Sequence, residues 1–235
     1  MVTLSKFATA PAPVHHARLK GVAKCLRRTA SWGIKFWRSS PNPALPDDKD
    51  AAPPALPEDL PSFPPSSSPR ELTGYVDAAH ANDLKSRRST TGCVFMLAGG
   101  AVAHRSKTQS LVATSSTEAE FCAAVTAAKV AKHLRSILEE LGFPQSGPTV
   151  LYEDNASTIK LVNAKQPTER SRHIAIQWFA IQDWKADGHI VLDHIPGVLN
   201  PSDDLTKPLG WVLHSRHARR MMGHHDPGCL TTGPS

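Results

Sequence analysis

Apolar and polar positions alternate with two different periods along this chain, and the switches between them mark out the elements. A strand runs from Leu72 through Tyr75, Val76 and Asp77, followed by a polar stretch holding Lys85, Arg87 and Arg88. A strongly apolar strand over residues 92–97 comes next, then a returning arm over 101–106, with Gly99-Gly100 between them as the turn. After Ser110 the period lengthens. Residues 117–141 form a long helical run ending at Gly142, with Phe121, Ala124, Val125 and Ala128 at helical spacing. A short β-rich run, 149–152, leads into Glu153-Asp154-Asn155 and a short helix over 157–162. Another helix over 173–186, a strand over 190–195 and a helical turn over 202–205 complete the series.

Three strands, a helix, a strand, two helices and a strand make an α/β order. Strands reached by helical crossovers add in parallel beside the first, with helices on the sheet faces. Ligands of such sheets sit beyond the carboxyl ends of strands, which is where Asp154 falls.

Composition divides the chain. Ten of its twenty prolines lie between Pro41 and Pro69, among Ala, Ser and Asp, so this stretch reads as a linker. The expected organisation is an N-terminal piece, 1–40, the linker, 41–70, a main domain, 71–210, and a basic, disordered tail, 211–235. The formal charge of +6 is equally uneven. Residues 1–40 carry eight Lys or Arg and no acid, whereas 71–210 carry fourteen basic and fifteen acidic side chains. An acid-free arm points to a polyanionic partner, nucleic acid foremost, with an organelle transit peptide as the alternative. The four cysteines, Cys25, Cys93, Cys122 and Cys229, contain no close pair, which excludes a zinc ribbon and a small disulfide scaffold and fits a reducing compartment. No run is long enough to span a membrane. His214, His217, His224, His225 and Cys229 match no standard zinc-finger spacing.

Five blocks carry a family resemblance: GYVDAAHAN, SRRSTTGCVFMLAGGAVAHRSKTQSLVATSSTEAEF, LYEDNASTIKL, RHIAIQWFAI and NPSDDLTKPL. In order and spacing they resemble the RNase H domain of copia-type retrotransposon Pol polyproteins, over about residues 72–210. The segment LSKFATAPAPVHHARLKGVAKCLRRTASWGIKFW resembles the end of the reverse transcriptase region that precedes it. The resemblance implies an RNase H-like fold, a five-stranded mixed sheet with helices on both faces. It implies hydrolysis of the RNA strand of RNA/DNA hybrids with two Mg²⁺ or Mn²⁺ ions. The implied partners are the hybrid and the reverse transcriptase region, with no membrane, in the cytoplasm (virus-like particle) or nucleus rather than outside the cell. The rival reading is a catalytically silent nucleic-acid-binding or scaffolding fragment. Departures from the pattern support that rival: Ala79 stands where the family has a second acid, and Ala175 and Phe179 stand where it usually has an acid and a histidine.

By the same resemblance the metal-holding and catalytic acids are Asp77, Glu120, Asp154 and Asp203. An independent argument selects Glu120 over Glu118. Two positions along a helix point about 200° apart, so the two cannot share a site. Ser115 and Glu118 stand at capping-box spacing, which gives Glu118 a structural task at the helix start. Asp203 is chosen over Asp204 on the resemblance alone, and Asp204 occupies a place that is usually apolar. Candidate substrate contacts are Asn155, which is equally placed to cap the next helix, and Arg87, Arg88, Arg105 and Lys107, which could hold phosphates or simply protect a sheet edge.

Overall fold

A computed structural model describes residues 12–30, 33–34, 36, 70–164 and 174–223 of the 235. Residues 41–69 of the linker and the end of the tail, with His224, His225 and Cys229, lie outside the described residues. Helix α1, Pro13–Arg28, precedes the main domain, where β1 (Thr73–Ala79), β2 (Thr90–Leu97) and β3 (Gly100–Thr108) lead into α2 (Ser116–Glu140). Then come β4 (Thr149–Glu153), α3 (Ala156–Asn163), α4 (Ala175–Ala186) and β5 (Ile190–His194). Two 3-10 turns, Gly197–Leu199 and Pro201–Leu205, and helix α5, Trp211–Met221, close the described chain.

The sheet order is β3-β2-β1-β4-β5. The first three strands form an antiparallel meander, while β4 joins β1, and β5 joins β4, in parallel. This is the mixed five-stranded α/β sheet expected from the order of elements. The hairpin turn is Ala98-Gly99, both at positive φ, and Gly100 already pairs with Leu97 as the first residue of β3. Positive φ at both central positions matches the twist of the flanking strands.

Strand alternation gives the sheet two apolar faces. On one, Val76, Ala78, Cys93, Phe95 and Leu151 meet α2 and α4, with Trp178 and Ile181 contributed by α4. α2 presents Ala119, Ala123, Ala124, Ala127, Ala128 and Ala131 as buried residues, and such small side chains let the helix lie close to the strands. On the other face Tyr75, Val94, Met96, Ile195 and Leu199 cluster with Tyr152 and Met221, and the Tyr75 and Tyr152 rings stack at 5.2 Å.

That second face corrects the expectation of a disordered tail over its described part. Residues 211–221 are helical, and α5 buries Ser215, Arg216, His217 and Ala218. His217 is fully buried, with Nε2 3.1 Å from the Val198 carbonyl oxygen. The inward face of this helix is largely polar, so a reading built on apolar spacing found no face to bury.

At the start of α2, Ser115 is the N-cap and its Oγ accepts from Glu118 N at 3.1 Å. The Glu118 carboxylate turns back one residue further than a capping box requires. It accepts from Thr114 N at 2.7 Å and Thr114 Oγ1 at 2.6 Å. Glu118→Gln is therefore expected to lower unfolding stability by about 1 kcal/mol, measured by denaturant unfolding, without affecting any metal binding.

Candidate metal centre

Three acids converge at the carboxyl ends of β1 and β4. Asp77 sits on β1 with no solvent exposure, Glu120 lies buried in the opening turns of α2, and Asp154 directly follows β4. One carboxylate oxygen from each lies within 4.8 Å of the others. Among the described residues this is the one group of three or more His, Cys, Asp or Glu side chains close enough to share an ion.

Asp203 enters from the second 3-10 turn and joins through a cation rather than as part of that group. Lys207 Nζ donates to Asp203 Oδ1 at 2.9 Å and to Asp77 Oδ1 at 3.1 Å, while Thr206 Oγ1 donates to Asp77 Oδ2. Several contacts hold this turn against the sheet. Asn200 is fully buried, donates from Nδ2 to the Val76 carbonyl at 2.8 Å and caps the turn through Ser202 N. Ser106 Oγ donates to the Leu205 carbonyl at 2.6 Å. Gly92, paired with Asp77 across the ladder, makes the approach possible. A Cβ there would lie 2.6 Å from Thr206 Cγ2 and 2.9 Å from the Ser202 carbonyl oxygen. Gly197 does the same for Asp154, whose Oδ2 would be 2.9 Å from an added Cβ.

Crowding of negative charge sets the protonation of the cluster. Burial, then the charges of Asp77 and Asp154, push Glu120 up to about 9. Asp203 is raised to about 6 by burial and Asp77, against the pull of Lys207. Asp154 is raised by burial and by Asp77. Burial works against the Lys207 charge, but its hydrogen bond to Asp203 and the charge of Asp77 outweigh it and hold the ammonium above its ordinary range.

A fifth acid went unassigned from the sequence. Glu153 has no solvent exposure and lies on the α2 side of β4, where burial and the charge of Glu120 drive it well upward. Its Oε1 accepts from Asn155 N at 3.1 Å, and neither its Oε2 nor Glu120 Oε2 has a hydrogen-bond partner among the described residues. Period-two alternation puts it on the same face of β4 as Leu151, beneath the long helix. Lys207 was missed too, because its contact with Asp77 spans 130 residues.

The other candidates scatter around the centre. Asn155 caps α3, accepting from Ser157 N at 2.9 Å and Thr158 N at 3.1 Å. Arg87 and Arg88 are exposed in the loop between β1 and β2, at the acid end of the sheet, with Arg87 at positive φ. Arg105 and Lys107 are exposed on the edge strand β3 and line a depression beside α2, with Lys129 and Gln177. Ala79 closes β1 opposite Thr90 and brings no acid.

What the sheet and its helices define is a domain of the α/β class, with carboxylates gathered at its strand ends. Its sequence is similar to retrovirus-related Pol polyproteins of transposons. It is 38% identical over 136 residues to the retrovirus-related Pol polyprotein from transposon TNT 1-94 of Nicotiana tabacum, a match covering 58% of this chain and 10% of that protein. It is 31% identical over 150 residues to the corresponding polyprotein from transposon RE2 of Arabidopsis thaliana, covering 64% and 10%. Secreted RxLR effector protein 161 of Plasmopara viticola is 38% identical over 120 residues, covering 51% of this chain and 65% of that one. The chain thus spans about a tenth of the length of the polyproteins it matches. No family model matches it. Among solved structures it is similar to LC11-RNase H1 in complex with RNA/DNA hybrid, with 15% identity, 58% and 94% coverage and a TM-score of 0.44. It is also similar to the foamy viral protease-reverse transcriptase in complex with RNA/DNA hybrid, with 19% identity, 74% and 24% coverage and a TM-score of 0.44. No helix among the described residues is long and apolar enough to cross a membrane.

Proposed function

We propose that residues 71–210 form a ribonuclease H that hydrolyses the RNA strand of RNA/DNA hybrids as part of a retrotransposon Pol polyprotein. The remainder of the proposed organisation is a remnant of the reverse transcriptase end at 1–40 and a linker at 41–70. The observation that carries this reading is the approach of Asp77, Glu120 and Asp154 oxygens to within 4.8 Å in a largely buried setting. A cluster of carboxylate oxygens free of cysteine and histidine suits a hard divalent cation such as Mg²⁺ or Mn²⁺. The orphaned Glu120 Oε2 fits the same role, since a buried acceptor without a donor is costly until a cation satisfies it.

Asp77, Glu120 and Asp154 would hold the ions, with Asp203 completing the set. Ions held there would supply the polarisation that activates a water and stabilises the leaving oxygen of a phosphodiester. The chain's own residues position that chemistry. Asn200 and Ser106 fix the turn bearing Asp203, Thr206 and Lys207 orient Asp77, and Gly197 leaves room for Asp154. Arg87 and Arg88 stand at the acid end where phosphates of a duplex would pass, and Arg105 and Lys107 extend the basic surface along the edge strand. Asn155 is the proposed contact to the substrate, beside its capping role.

The test is incubation of the purified chain with an RNA/DNA hybrid labelled on the RNA strand. Cleavage in Mg²⁺ or Mn²⁺, abolished by chelator, is expected. A protein that binds hybrid and leaves it intact in either ion overturns the hydrolase reading in favour of a silent binding module, with Ala79 the first position to restore to an acid.

A further inference from the structure

We propose that Cys25, His214 and Asp204 form a nucleophilic-thiol site, open to covalent modification by small soft electrophiles. None of the three belongs to the hydrolase centre, and the proposal stands apart from that reading.

Cys25 lies in the last turn of α1, with Sγ 3.3 Å from His214 Nε2 on α5. The same ring places Nδ1 3.1 Å from Asp204 Oδ1. The order is nucleophile, base and orienting carboxylate, each in contact with the next, which is the arrangement that activates a weak nucleophile. A carboxylate at Nδ1 fixes the proton there, which leaves Nε2 to take the thiol proton. After the transfer both ring N–H groups donate, one to the carboxylate and one to the thiolate sulfur. The hydrogen bond that His214 Nδ1 donates to Asp204, opposed by burial and reinforced by the Asp204 charge, holds His214 up at about 9, so the proton, once taken from the thiol, stays on the ring at neutral pH.

Two further observations separate this thiol from an incidental one. The Asp204 side chain is 6% exposed and its Oδ2 has no hydrogen-bond partner among the described residues, so its hydrogen bond goes to the ring. The neighbouring Asp203 turns to Lys207 instead, so adjacent carboxylates serve different centres. Cys93 and Cys122 offer the contrast, buried in the core with their thiols pushed up to about 11 by burial. Cys25 is half-buried and the His214 side chain is 33% exposed, which leaves the sulfur within reach of a small reagent.

Iodoacetamide is the probe. The sulfur lone pair forms the S–C bond, the C–I bond breaks, iodide leaves and the thiol proton remains on His214. Labelling of the full chain at neutral pH, resolved peptide by peptide by mass spectrometry, is expected to run at least tenfold faster at Cys25 than at Cys93, Cys122 or a free cysteine peptide. His214→Gln should cut the Cys25 rate about tenfold, and Asp204→Asn should cut it in the same direction. The double variant should fall no further than His214→Gln, because Asp204 acts only through the ring; a purely structural role would give additive losses. An unchanged Cys25 rate in His214→Gln overturns the proposal, and so do additive losses. Continued protection of Cys93 and Cys122 shows that a variant is folded. Should both variants unfold, the wild-type comparison decides, and a Cys25 rate no faster than the free peptide overturns the site.

Discussion

Replacing Asp154 by asparagine is expected to abolish Mg²⁺-dependent cleavage of an RNA/DNA hybrid while leaving hybrid binding in Ca²⁺ nearly intact. The amide preserves the shape of the side chain and removes one of the charges on which the centre depends. A loss of about a thousandfold in rate corresponds to ~4 kcal/mol of transition-state stabilisation. Position 154 is the better choice over 77, because Asp77 also anchors Thr206 and Lys207, and its replacement would loosen the turn bearing Asp203. Single-turnover cleavage and a hybrid-binding titration together check the outcome. An Asp154→Asn protein that cuts at the wild-type rate would remove this acid from the chemistry, and one that no longer binds hybrid would make its role one of folding or docking.

The metal-free protein is expected to lose thermal stability as pH rises from about 5 to about 9. Glu120 titrates near 9 in the folded chain, against 4.5 for an ordinary glutamate, so the folded state holds a proton that the unfolded state has released across that interval. Its contribution is complete below the unfolded value and is lost as pH climbs toward the folded one. The shift of Glu153, also upward, acts in the same direction. A fall of roughly 5–10 °C in Tm between the two ends is expected with chelator present. Added Mg²⁺ should recover most of it at the alkaline end, because binding to the folded state alone stabilises it and supplies the positive charge the cluster lacks. Glu120→Gln should flatten the profile and blunt the response to Mg²⁺, whereas Glu118→Gln should leave both in place. Calorimetric scans at several pH values check this, and a metal-free Tm that rises with pH would contradict the charge crowding.

Most of the sheet was legible because its elements carry recognisable patterns, a continuous buried run in β1, two-residue alternation in β4 and a spacing of about three and a half residues in α2. Asp154 stood out through its place between an apolar strand and a helix, and Glu120 through the competing task of Glu118 at the cap. Glu153 was hidden by proximity, since an acid directly beside Asp154 reads as part of the same strand end until the fold shows it buried beneath α2. Lys207 was hidden by distance, its role arising only when a 3-10 turn meets the first strand. α5 was hidden by chemistry, because it buries Ser215, Arg216 and His217 where a hydrophobic pattern searches for leucines. Asp204, an oddity in sequence, acquires a partner in His214 once α5 is helical.

The turn carrying Asp203 has one further consequence, which concerns the order of events during synthesis. Its anchors reach back 124 residues from Asn200 to Val76 and 130 from Lys207 to Asp77. Contacts of such separation form late, since the entropy of closing the intervening chain must be met before they reward it. A nascent chain that has emerged only as far as β5 already holds Asp77, Glu120 and Asp154, yet lacks the segment that seats itself over Gly92. Until the ribosome has released some thirty more residues, the strand face beneath α5 stays open to water and to neighbouring chains. The last tertiary contacts of this domain are therefore expected to form at its very end, and Asp77 lacks its pairing with Lys207 until then.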